Sequence, residues 1–182
     1  MAFSPGTPEA QLVLAARQLA DELGSAAFTV AQVAERAGAS FKSFYRCFRG
    51  KDDLLLALIE DDSRRGAAVL ERSIARHADR LEGFVVELFA MLSVPGAAGY
   101  AGVLVREYRR LGEHHPEELD VALAPLTSLL ASLITTADPK RDSQTMFGVL
   151  IGGIHDVLLG RVDDPAELAA YLHRFCTRGM GS

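Results

Sequence analysis

Cysteine is scarce in this chain: 182 residues carry two, Cys47 and Cys176. Two thiols so far apart in sequence exclude a disulfide framework and a thiolate metal site, and they point to a reducing cytoplasm. No stretch approaches the roughly 18 uninterrupted apolar residues of a bilayer span. Met1 to Gly6 has neither the basic nor the apolar region of a secretory signal, so no membrane partner is expected. Strand-length alternation of apolar and polar residues is nearly absent, which excludes a sheet-built fold. Catalytic signatures are missing as well. There is no phosphate loop, no Gly-x-Ser-x-Gly elbow and no Gly-x-Gly-x-x-Gly fingerprint. The histidines, His77, His114, His115, His155 and His173, make no His-x-x-x-His or Glu-x-x-His pair on one helix face. His114 and His115 beside Glu113 and Glu117 have the chemistry to chelate, but they read as a solvated turn before Pro116. No catalytic constellation, metal or cofactor is expected, and the chain is not read as an enzyme.

One further absence is local. From Arg36 to Lys51 there is no Asp or Glu, while Arg36, Lys42, Arg46, Arg49 and Lys51 are all basic. The whole chain has net charge −5, yet its first 51 residues hold six Lys and Arg against four Asp and Glu, +2, which leaves −7 for the remainder. Contact with a polyanion is therefore expected in the N-terminal part alone. The plainer reading is a solvated basic face on a small helical subdomain.

What the chain does have is helical periodicity almost throughout. Residues 29 to 51 read as two short helices hinged at Gly38. Val30, Val33, Ala34 and Ala37 share one face, and Phe44, Tyr45 and Phe48 repeat the pattern after the turn. Thr29 and Gln32 are spaced as a capping box, Gly38 suits the left-handed conformation that ends a helix, and Ser40 caps the next. This is the pattern of a DNA-reading helix-turn-helix. The second helix would expose Phe41, Lys42, Ser43, Arg46 and Cys47, with the Tyr45 hydroxyl near the rim. Phe41 admits two readings: an exposed aromatic pressed on a thymine methyl in the major groove, or a ring folded back on the three-helix core.

These residues carry a resemblance. From Leu12 to Leu58 the chain resembles the DNA-binding domain of the TetR family of transcriptional regulators. The likeness lies in a first helix at Leu12 to Leu23, then Phe28-Thr29-Val30, Val33-Ala34-Glu35-Arg36-Ala37-Gly38-Ala39-Ser40, Phe44-Tyr45-Arg46-Cys47-Phe48 and Lys51-Asp52-Asp53-Leu54-Leu55. It covers about a quarter of the chain. It implies that Thr29, Tyr45 and Lys51 hold phosphates and that Lys42 and Ser43 face the groove. It also implies a homodimer that represses transcription until a small molecule binds. Cys47 stands where the family often has His or Tyr, which removes one expected polar contact. With Arg46 on phosphate and Phe41 among the base readers, the expected DNA-binding set is Thr29, Phe41, Lys42, Ser43, Tyr45, Arg46 and Lys51.

The rest of the punctuation predicts an all-α chain in two parts. Residues 1–51 would be the helix-turn-helix domain and 52–182 a helical ligand-binding and dimerisation domain. Thr7-Pro8-Glu9 starts the first helix. Further helices are expected from Lys51 to about His77, Asp79 to Leu92, Tyr100 to Gly112, Pro116 to about Ala137, Lys140 to Leu159 and Asp164 to about Arg178, with a break at residues 95–99. Gly179 to Ser182 reads as a frayed end.

The last two helices are unusually apolar, and Gly148, Gly152 and Gly153 permit close approach. Ile151, Ile154 and Leu158, with Leu168, Leu172 and Phe175, are the expected dimer interface, a four-helix bundle of two helices from each subunit. Two readers related by a two-fold axis reach half-sites about 34 Å apart or a multiple of that. The middle helices would form the effector chamber, with Phe89, Tyr100, Leu104, Tyr108, Leu126, Phe147, Leu150 and His155 in its wall and Arg106, Tyr108 or His155 as polar anchors. A wall so apolar suits a hydrophobic or amphipathic ligand, although core packing is an alternative role for most of these side chains. The expected partners are thus a double-stranded DNA operator, that effector and a second copy of the chain. The rival reading is a helical module for small molecules or proteins without DNA binding.

Overall fold

The computed structural model describes residues 6–93 and 97–180, and all regular structure among them is helical. In chain order the helices are α1 (Pro8–Leu23), α2 (Val30–Arg36), α3 (Phe41–Cys47), α4 (Lys51–Ile74), α5 (Arg80–Ala90), α6 (Ala97–His114), α7 (Pro116–Ala131), α8 (Pro139–Leu158) and α9 (Pro165–Gly179). A single 3-10 turn, Met91–Ser93, follows α5. The expected break at 95–99 lies partly outside the described residues, as do residues 181 and 182.

Side-chain caps set the starts. Thr7, Asp79, Asp138 and Asp164 each accept a backbone N–H from the first turn of α1, α5, α8 and α9, satisfying donors that have no partner within the helix. Proline follows the cap in α1, α8 and α9, where its missing N–H costs nothing. The ends are less local. α7 stops at Ala131 rather than near Ala137, because Leu133 and Ile134 turn back on the carbonyls of Leu130 and Ala131 and Ile134 is buried there. The helix also continues through Pro125, whose ring removes one internal hydrogen bond.

The chain forms two compact units. The first comprises Met1–Arg64 and Gly99–Leu123, the second Arg65–Ala98 and Ala124–Ser182. In the first, α1, α2 and α3 pack on one another around Leu12, Ala16, Phe28, Val33 and Phe44, all essentially without solvent exposure. In the second, α5 and α8 pack on α9, with Phe84, Phe89, Leu130 and Leu150 buried. Gly153 makes that packing possible, since a Cβ there would stand 2.6 Å from Leu172 Cδ1 and 3.1 Å from Phe89 Cζ.

Candidate nucleic-acid interface

Local chemistry builds the helix-turn-helix. Thr29 Oγ1 accepts from Gln32 N at 3.2 Å while Gln32 Oε1 accepts from Thr29 N at 2.8 Å, the reciprocal capping box. Gly38 has φ +61°, a left-handed conformation that frees the chain to reverse. Ser40 Oγ then accepts from Ser43 N at 3.1 Å and opens α3. A seven-residue helix has too few internal hydrogen bonds to stand alone. Phe44 holds it, fully buried, with the Tyr45 ring edge-on at 5.3 Å and the Phe48 ring at 5.8 Å.

That anchoring turns the opposite face outward. Lys42 and Arg46 are exposed, Ser43 and Cys47 are half-buried, and Phe41 and Tyr45 remain 54% and 58% exposed. Of the two readings of Phe41, the structure supports the exposed ring.

The stretch without acids is not acid-free in space. Arg36 forms a bidentate pair with Glu22, 2.7 and 2.9 Å, and Arg49 another with Asp53, 2.6 and 2.7 Å. The Lys51 ammonium donates to the Ala26 carbonyl and lies 4.9 Å from the centre of the Phe28 ring, so it ties the start of α4 to the segment before α2. Glu9 lies by the recognition helix. Its carboxyl is held below the ordinary range by a backbone N–H and by the Cys47 thiol, with nearby Arg46 adding to the effect. Burial and then Glu9 push the Cys47 thiol up. Lys42 and Arg46 are thus the exposed cations on α3.

Sequence reasoning missed a set of polar ties from α6 to α1 and α4. Arg17 donates to Asp61 at 2.9 Å and to Asp62 at 2.6 Å, and the Tyr100 hydroxyl donates to the other oxygen of Asp62 at 2.6 Å. Burial pushes the Asp62 carboxyl up and outweighs the opposing pull of Arg17. Arg106, expected as a ligand anchor, instead donates to the carbonyl of Gly24 at the end of α1, 2.7 Å away. Arg110 grips Asp52 at 2.6 and 3.2 Å, and the His115 ring donates to the same carboxylate at 3.2 Å. The available signal was Arg17 itself, a charge beside the buried stripe of Val13, Ala16 and Ala20, where an unpaired cation would be costly.

The expected effector residues divide between the units. Tyr100, Leu104 and Tyr108 lie on α6 in the first, at i, i+4, i+8 spacing, with the Tyr100 hydroxyl committed to Asp62. Phe89, Leu126, Phe147, Leu150 and His155 lie in the second; Phe89, Phe147 and Leu150 are buried, and Leu126 and His155 are half-buried. An open groove between α4 and α7, about 270 Å³, is lined by Asp53, Leu56, Ala57, Glu60, Glu118, Val121 and Ala122, none of them anticipated. Among the expected interface residues, Ile154 and Leu172 lie in the subunit's own core, Ile151, Leu158 and Leu168 are half-buried, and Phe175 is exposed and stacks on exposed Tyr171 with ring centres 6.2 Å apart. Gly148 and Gly152 face open space, so only Gly153 of the three makes a close approach within the chain. The described residues contain no group of three side chains able to hold a metal, and no helix among them is long and apolar enough to cross a membrane.

A three-helix unit that buries one face of α3 and presents cations and aromatics on the other defines a helix-turn-helix DNA-binding protein. Residues 12–58 match the family model of the bacterial regulatory proteins of the tetR family. Solved structures of the same fold include a TetR transcriptional regulator from Rhodococcus sp. RHA1, 19% identical, covering 93% of each chain with a TM-score of 0.77. Another is FadR from Bacillus subtilis in complex with stearoyl-CoA, 20% identical over 92% of this chain and 96% of that one, TM-score 0.69. A third is RolR in complex with resorcinol, 24% identical over 92% and 86%, TM-score 0.68. By sequence, no curated protein matches the chain.

Proposed function

We propose that the chain is a cytoplasmic homodimeric repressor that reads a palindromic operator through α3 of each subunit and releases it when a hydrophobic or amphipathic molecule binds. Residues 1–51 form the reader and 52–182 the effector-binding and dimerisation part. The observation that carries the reading is the outward face of α3, where Phe41, Lys42, Tyr45 and Arg46 stand exposed over a buried Phe44. Phe41, Lys42 and Ser43 approach base edges, while Thr29, Tyr45, Arg46 and Lys51 contact phosphates. The exposed Tyr171–Phe175 stack, with Ile151, Leu158 and Leu168, meets its copy across the two-fold axis, over an inner layer of Ile154 and Leu172. Effector binding involves the apolar side chains Phe89, Leu126, Phe147 and Leu150 of the second unit, with His155 as a polar member. The fold is shared with proteins that hold stearoyl-CoA and resorcinol, an acyl thioester and a small phenol, which supports a largely apolar effector.

The test is selection of bound duplexes from a random pool by the purified chain, followed by salt titration on the enriched sequence. A palindrome whose affinity falls steeply with salt is expected, since each phosphate contact releases counterions. Failure to enrich any sequence would overturn the reading.

A further inference from the structure

The exposed face of α3 is chemically selective, and this selectivity limits which bases it can read. Phe41 and Tyr45, four residues apart, make an aromatic row, and Lys42 and Arg46 make a cationic row beside it. From Phe41 to Cys47 the helix holds no Asn, Gln, Asp or Glu. Bidentate recognition of adenine calls for an amide, and recognition of the cytosine amino group calls for a carboxylate. Neighbouring groups of those kinds are engaged elsewhere: Gln32 closes the capping box with Thr29, and Glu9 takes the Cys47 thiol. Beside the Ser43 hydroxyl, which pairs with bases of either kind, the contacts left to α3 are a cation on guanine O6 and N7 and an apolar ring on the thymine methyl.

Position along the helix divides the two rows. In a helix-turn-helix the first turn of the recognition helix approaches the base edges, which places Phe41 and Lys42 there and leaves Tyr45 and Arg46 for the backbone. Phe41 keeps 54% of its surface in water in the free protein although Phe44, three residues on, is wholly buried. An apolar ring held in that position gains by covering a methyl group in a groove otherwise lined with polar atoms.

We infer that each operator half-site contains a thymine read through its 5-methyl group by Phe41 and a neighbouring guanine read by Lys42. This rests on the DNA-binding reading above and specifies the base chemistry of that same surface.

Deoxyuridine substitution tests it, because uracil differs from thymine by that methyl alone. With the full-length chain and the duplex enriched from a random pool, each thymine of the half-site is replaced in turn by deoxyuridine, and affinity is measured for the wild type and for Phe41→Ala. At one thymine the wild type should lose about fourfold per half-site, the worth of one buried methyl, and Phe41→Ala should lose nothing there. Lys42→Ala should lose a preference of about tenfold for guanine at the neighbouring position, the scale of one good base contact. An enriched duplex whose thymines all tolerate deoxyuridine, or a sensitivity that persists in Phe41→Ala, would overturn the methyl contact while DNA binding stood. Unchanged guanine preference in Lys42→Ala would overturn the second contact. No enriched duplex at all would overturn both this inference and the reading beneath it.

Discussion

At the scale of single residues, Gly38 and the half-buried carboxylates Asp52 and Asp62 respond to opposite kinds of change. Gly38 sits at φ +61° with no heavy atom near the position of an added Cβ, so Gly38→Ala meets backbone strain and no clash. A stability loss of about 1 kcal/mol is expected in urea unfolding, the cost of a left-handed L-residue, and Gly38→Asn should lose less. For the carboxylates the sign follows from where each pKa lies. Arg110 holds Asp52 below the ordinary carboxylate value, so the stability that pair contributes is present above that value and is lost as pH falls through the depressed one. Asp62 is pushed up by burial, so its contribution is present below the ordinary value and is lost as pH rises through the raised one. Acidification from pH 5 to 2 should therefore cost Asp52→Asn less stability than wild type and Asp62→Asn more; equal pH profiles for all three would contradict the assignment.

At the scale of helices, α8 shows that glycine spacing alone does not reveal a glycine's job. Gly148, Gly152 and Gly153 look alike in sequence as points of close approach, yet only Gly153 has neighbours, Leu172 and Phe89. Gly153→Ala forces those side chains apart and is expected to cost about 1–3 kcal/mol, the range of overpacked cores. Gly152→Ala faces open space, and its effect on the subunit's own stability should be a gain of about 0.5–1 kcal/mol from helix propensity. Paired urea midpoints, taken at a protein concentration low enough to keep subunits apart, check both signs. The early end of α7 belongs to this scale too. Helical periodicity runs on past Ala131, but burial of Ile134 wins over continuation of the helix.

At the scale of the whole molecule, the proposed dimer makes the exposed aromatic pair on α9 the sensitive point. Phe175 is 58% exposed and stacked on Tyr171, so Phe175→Lys removes apolar surface without opening the subunit core. Sedimentation should show a monomer, and operator affinity should fall by about a hundredfold or more, since the second half-site is no longer tethered to the first. A variant that stays dimeric and binds normally would move the subunit contact elsewhere. The charge division supports the same picture: +2 over the first 51 residues and −7 over the rest direct a phosphate backbone to the N-terminal part and away from the remainder.

The sequence by itself determined the helices, their capped starts and the hinge at Gly38. All of these depend on interactions within about four residues, and spacing alone records them. Only the tertiary structure decided which cations of the acid-free stretch are exposed, because Arg36 meets Glu22 fourteen residues away. It likewise decided that Arg106 reaches Gly24 across 82 residues and that Tyr100 reaches Asp62 across 38, side chains whose helical spacing suggested a ligand wall. It settled Phe41 in solvent and Gly153 in the core for the same reason. A side chain's exposure and partners are fixed by elements distant in sequence, and local periodicity carries no record of them.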